Sequence, residues 1–161
     1  MRYLVRHRIF SIQTSFWITD QDGNEVFYVD AQSLFNKTFQ LADRAGNVLA
    51  VLKQPLFQLR AAMDIERDGQ KLATVTRAMF SPFQHRYEIA LANGSTWQAQ
   101  GEFSDMSWDL SAGGRIVGRI SREWFAVRDT FGVEVEPGQD APLVIAVSVA
   151  IDHLREEEQR R

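Results

Sequence analysis

Asp129 is the carboxylate whose position most invites chemistry. It falls on the apolar face of the run Phe125 to Glu136. There Phe125, Val127, Phe131, Val133 and Val135 share one side, and Arg128, Thr130, Glu134 and Glu136 share the other. An unpaired carboxylate among such neighbours is costly. At a barrel mouth it would hold a ligand or, with a raised pKa, carry a proton. A salt bridge or a helix cap is the plainer role and the favoured one, because buried polar groups normally find partners. A second group is cationic: Arg6, Arg8, Lys37, Arg77, His85 and Arg86. Arg77 and Arg86 flank Phe80-Ser81-Pro82-Phe83, a pairing suited to an anionic ligand or a membrane interface. Solvated surface arginines and phenylalanines covering a barrel end are the expectation to beat.

Other constellations exclude more than they offer. His7, His85 and His153 are far apart and lack metal-ligand spacing. His7 shares a strand face with Val5 and Ile9, and His153 follows the apolar C-terminal segment, where a cation would favour a nearby helix terminus. Asp20-Gln21-Asp22-Gly23-Asn24-Glu25 has a superficial calcium-loop look, but its Gly is fourth rather than sixth, and strand-like runs flank it, so a hairpin turn is predicted. The tryptophans at 17, 97, 108 and 124 read as packing residues, since a base-stacking platform needs basic companions. The chain has neither a nucleophile elbow nor a phosphate-binding glycine loop, so no catalytic residue, cofactor or metal is assigned.

The 161 residues fit one domain, 1–161, and 45% hydrophobic content is enough to fill its core. A net charge of −3 argues against a nucleic-acid partner. With no cysteine, disulfides, thiolate catalysis and thiolate metal sites are excluded. Residues 1–10 carry Arg2, Arg6, His7 and Arg8 with no apolar run behind them, so no signal peptide is read. The longest apolar stretch, Leu143 to Ile151, is too short to cross a bilayer, which takes about 20 residues. A cytoplasmic protein, with peripheral membrane association as the alternative, is the expectation.

Turn signals set the frame that would position these groups. Asp22-Gly23, Gly46-Asn47, Asp68-Gly69, Asn93-Gly94, Gly113-Gly114 and Pro137-Gly138 recur along the chain. Between them lie runs rich in β-branched and aromatic residues. In Phe57 to Glu66, Phe57, Leu59, Ala61, Met63 and Ile65 line one face, and Gln58, Arg60, Ala62, Asp64 and Glu66 line the other. Laid over Gly114 to Val135 at an offset of 68, Gly46 to Arg67 matches in turns and in inward face. At an offset of 71, Phe16, Ile18, Gly23 and Val26 meet Tyr87, Ile89, Gly94 and Trp97. Duplicated halves, about 1–69 and 70–138, follow, each with about six strands. Roughly twelve short antiparallel strands predict a closed barrel, since closure removes aggregation-prone edges. Such a barrel is too wide for its own side chains to fill. Asp140 and Pro142 begin a helix, about 141–157, and its residues 143–151 with Leu154 are apolar around almost the whole circumference. This helix is predicted to plug the lumen, its charged tail in solvent, contributing on the order of 10 kcal/mol before entropy.

The order of these features resembles the LURP-one-related family of the tubby C-terminal-like superfamily. The resemblance rests on residues 3–11, on Phe16-Trp17-Ile18-Thr19-Asp20-Gln21-Asp22-Gly23, on Asp43-Arg44-Ala45-Gly46, and on residues 133–140 with the apolar segment ending Ala150-Ile151-Asp152. It implies a twelve-stranded barrel around a central hydrophobic helix, a link to phosphoinositide binding, and a distant similarity to phospholipid scramblases. It transfers no catalytic residue. Three functions are therefore expected in order: a non-enzymatic binding or scaffold domain for an anionic lipid or a protein; a ligand carrier or enzyme with a barrel-end pocket at Asp129; and a membrane-associated phospholipid-handling protein. The weak site candidates are Asp129, Arg77, Arg86 and His85.

Overall fold

In the computed structural model, described for residues 1–6, 15–33, 38–55, 61–78, 86–101, 107–122 and 130–159, twelve antiparallel strands close into a barrel. Strands β1 (Arg2–Arg6), β2 (Phe16–Thr19), β3 (Glu25–Ser33), β4 (Thr38–Asp43), β5 (Val48–Lys53) and β6 (Ala62–Arg67) are followed by β7 (Gln70–Arg77), β8 (Arg86–Leu91), β9 (Thr96–Gly101), β10 (Ser107–Ala112), β11 (Arg115–Ser121) and β12 (Thr130–Val135). Each strand pairs with its sequence neighbour, and β12 returns to β1, with Arg2 opposite Glu134 and Arg6 opposite Thr130. Helix α1 (Ala141–Gln159) enters after β12.

Period-two alternation decides what faces the lumen. Met63 and Ile65, Ile89 and Tyr87, Trp97 and Ala99, and Phe131 and Val133 are buried. Asp64, Glu88, Gln98 and Glu134, which alternate with them, are not. Of the strand expected over Phe57 to Glu66, residues 56–60 lie outside the described residues and β6 covers Ala62–Arg67; Ala62, expected on the outer face, is buried where the strand begins. At the predicted offsets, β1–β3 fall on β7–β9, and β5 and β6 fall on β11 and β12.

All the turn signals became turns, and one local device recurs. In Asp20-Gln21-Asp22-Gly23-Asn24 the Asn24 N–H donates to Asp20 Oδ1 at 2.9 Å, and Gly23 has φ +85°. Asp43 and Asn47 repeat the bond at 2.9 Å around Gly46. The Asn24 amide and its companions hold the Asp20 carboxyl below the usual range, as the Asn47 side chain does for Asp43. The calcium-like segment is a hairpin whose lead carboxylate is spent on its own backbone.

The lumen is filled by α1. Val144, Ile145, Ala146, Val147, Ser148, Val149, Ala150 and Ile151 are all buried, as is Leu154. The Ser148 hydroxyl donates to the Val144 carbonyl at 2.8 Å, so the one polar group in the run stays satisfied. Gly118 of β11 lets the helix approach: a Cβ there would lie 2.9 Å from Val144 Cγ1 and from the Glu134 carbonyl oxygen. No helix among the described residues is long and apolar enough to cross a membrane.

The helix is tied to the wall where it enters. Asp140 caps it, accepting from the Leu143 N–H at 3.2 Å through Oδ1 and from the Val144 N–H at 3.0 Å through its carbonyl. Arg67 grips the same carboxylate with two nitrogens, at 2.9 and 3.2 Å, and donates its Nε–H to the Leu49 carbonyl. Partial burial pulls the Asp140 carboxyl upward. The Arg67 hydrogen bonds, the Leu143 N–H and the Arg67 charge outweigh it and hold the group below the usual range. A lowered native pKa gives stability that is complete above the unfolded value, about 3.9, and is lost as pH falls through the native value. Asp140→Ala is therefore expected to cost about 1–2 kcal/mol at neutral pH. In urea denaturation its deficit against the parent should shrink at pH values below about 3.9.

Candidate functional site

The chain path sorts the connections by length. Tight turns join β2 to β3, β4 to β5, β6 to β7, β8 to β9 and β10 to β11, and the short link from β12 to α1 lies at the same end of the barrel. The connections after β1, β5, β7 and β11 are longer, and antiparallel pairing brings them, with the shorter links after β3 and β9, to the opposite end, where α1 finishes. Loops gathered on a rigid scaffold are where binding groups concentrate.

A charged cluster is built at this end from the last turns of α1. Arg122, one residue past β11, pairs through Nη2 with Asp152 Oδ1. Arg155, one turn further along the helix, faces the same oxygen at 3.7 Å. These side chains are only 23%, 11% and 10% exposed for Arg122, Asp152 and Arg155 respectively. The Arg122 guanidinium lies 6.0 Å from the centre of the Phe131 ring. Beside this cluster, Gln54 Nε2 donates to Glu157 Oε2 at 2.9 Å, and His153 Nε2 faces Glu157 Oε1 at 3.5 Å. Phe39 meets the His153 ring edge-on at 5.2 Å. A cavity of about 20 Å³, lined by Val5, Phe16, Phe39, Phe131, Val149, Asp152 and His153, is large enough for about one water.

The helix tail is thus packed against the barrel end, not released into solvent as its charge had predicted. Pairing makes the burial affordable: each buried charge meets an opposite one. His153 is also not at a helix end; the helix runs six residues past it. Gln54 and Arg122 are the first residues after β5 and β11, so the helix tail holds the roots of two long connections. The chemistry this cluster supports is positioning. Asp152 is engaged by two arginines and Glu157 by the Gln54 amide, and the described residues contain no group of three metal-ligating side chains.

Of the residues singled out in the sequence, Arg77 and Arg86 reach this end on neighbouring strands, and both are exposed. They stand on opposite faces of the sheet. Arg77 pairs with the inward Tyr87, and Arg86 precedes Tyr87 and turns outward. His85 and Asp129 fall within the long connections and lie outside the described residues, as do Arg8 and Lys37. Arg122, Asp152 and Arg155 were missed. Their available signals were the helical spacings Asp152/Arg155 and His153/Glu157.

Comparison places this architecture among known proteins. The family described as LURP-one-related matches residues 1–152. The uncharacterized protein YxjI of Bacillus subtilis (strain 168) is 23% identical over 150 residues, covering 92% of this chain and 90% of YxjI. An Arabidopsis thaliana protein solved by X-ray crystallography has the same fold, with a TM-score of 0.71 at 21% identity, over 96% of this chain and 91% of that one.

Proposed function

The chain belongs to the LURP-one-related family, and we propose that it is a non-enzymatic binding module that docks its loop-bearing end on an anionic phospholipid surface. The convergence of every long connection on one end of a plugged barrel carries this reading. The lumen holds a helix, so binding belongs outside it. The rim at this end carries the exposed Arg77 and Arg86. Arginines there would be drawn toward an anionic membrane, whatever the net charge. Seven of the eleven phenylalanines (Phe10, Phe35, Phe57, Phe80, Phe83, Phe103 and Phe125) belong in sequence to the connections at this end, and aromatic residues favour a membrane interface. The strand offsets support taking the two six-stranded halves, 1–69 and 70–138, as copies of one unit.

Co-sedimentation with neutral and with phosphoinositide-containing vesicles tests the reading. Binding to the anionic vesicles alone is expected, weakening as salt rises. Arg77→Glu with Arg86→Glu should reduce it by about thirtyfold or more, at about 1 kcal/mol for each arginine charge lost near the surface. Absence of binding at low salt, or equal binding to neutral vesicles, would retire the lipid surface as partner.

A further inference from the structure

A second surface lies on the outer wall, running from Ser15 at the loop-bearing end to the β2–β3 turn. An open groove of about 740 Å³ runs over the β1–β2 seam. Arg2 and Leu4 border it on β1, Trp17 and Thr19 on β2, and Asp20 and Glu25 on the turn and the start of β3. Strand alternation turns Trp17 outward between the inward Phe16 and Ile18, leaving it 36% exposed, the most exposed aromatic residue among those described. Its ring leans on Tyr28 of β3, with centroids 4.9 Å apart and planes at 49°. Charges of both signs line the groove, and Asp20 is held by its own turn. The Arg2 guanidinium is bonded to Glu134 at 2.7 Å. Glu25 is exposed and enters no ion pair with another described residue.

We propose that this groove binds a basic, extended segment of a partner protein, with a lysine or arginine side chain set over Trp17 and held by Glu25. An indole face attracts a cation through its quadrupole, and an adjacent unpaired carboxylate adds the opposite charge. A groove of this size accommodates several residues of peptide rather than a lone ammonium group. Charge complementarity therefore selects the occupant. The site is distinct from the lipid surface: it lies along the outer wall and prefers the opposite charge.

Fluorescence anisotropy of a labelled Lys-Arg-Lys-Arg peptide with the full chain at physiological salt is the test. An analogue with norleucine and citrulline in place of lysine and arginine serves as control. The cationic peptide should bind and its analogue should not. Trp17→Ala should weaken binding about fivefold to tenfold, and Glu25→Gln about twofold to fivefold. Glu88→Gln, on the outer face of β8, should leave it unchanged. Glu25 is exposed, so its variant reports on the groove even where Trp17→Ala lowers stability. Equal binding by the neutral analogue, undiminished binding by Glu25→Gln, or no binding by the parent overturns the proposal. So does displacement of the peptide by tetramethylammonium as effective as by arginine amide, which would point to a quaternary headgroup.

Discussion

A chain carrying Val147→Asp is expected to lose its cooperative fold. Val147 sits at the middle of the plug, fully buried, with apolar neighbours along the helix from Val144 to Ile151. A carboxylate there either stays charged in an apolar lumen or takes up a proton and remains without a hydrogen-bonding partner, and both are costly. The penalty should exceed about 5 kcal/mol, comparable to the whole stability of many domains. Near-ultraviolet circular dichroism and thermal melting would show no native signal or transition. Val48→Asp is the control. That position is 45% exposed at the barrel rim, and its cost should stay within about 0.5 kcal/mol. A Val147→Asp protein melting like its parent would contradict a lumen filled by α1.

Asp152→Ala is the second large effect. The substitution removes the carboxylate that both Arg122 and Arg155 face, and leaves two guanidinium groups in a site where they are 23% and 10% exposed. Breaking a buried pair from one side costs about 3–5 kcal/mol, and partial exposure places this case near the lower bound. A fall in Tm of roughly 6–12 °C follows for a chain of this length. The cluster also roots the connection after β11. Amide exchange at Ser121 and Arg122 should therefore accelerate more than exchange in the distant Asp43–Asn47 turn. An unchanged Tm would show that Asp152 contributes no net stability there.

What the sequence could convey follows from how local each cause is. Turns at Gly23, Gly46, Gly69 and Gly94 were legible because positive φ and side-chain-to-backbone bonds are settled within five residues. Inward faces were legible where alternation is clean, as at Met63/Ile65 and Phe131/Val133. The plug was legible because a helix apolar on every side must be buried, and Asp140 announced its start. The fate of the helix tail was not legible. Asp152 and Arg155 look like solvated charges until β11 brings Arg122 beside them, a partner 30 residues away in the chain. The space kept by Gly118 for Val144, and by Gly101 for the Trp108 ring, is likewise a tertiary property. Four tryptophans read alike in sequence. Alternation separates three of them, burying Trp97 and Trp108 and turning Trp17 outward, while Trp124 lies outside the described residues. The same alternation places Arg77 and Arg86 on opposite faces of the sheet, although they flank one connection.

Hydrogen–deuterium exchange of the full chain with and without phosphoinositide vesicles tests most directly which end of the barrel binds. Protection confined to the loop-bearing end, at Arg77, Ala78, Arg86 and Arg122, with the Asp20–Asn24 and Asp43–Asn47 turns unchanged, is the result expected of this arrangement. Protection of those turns, or no protection at either end, would contradict it.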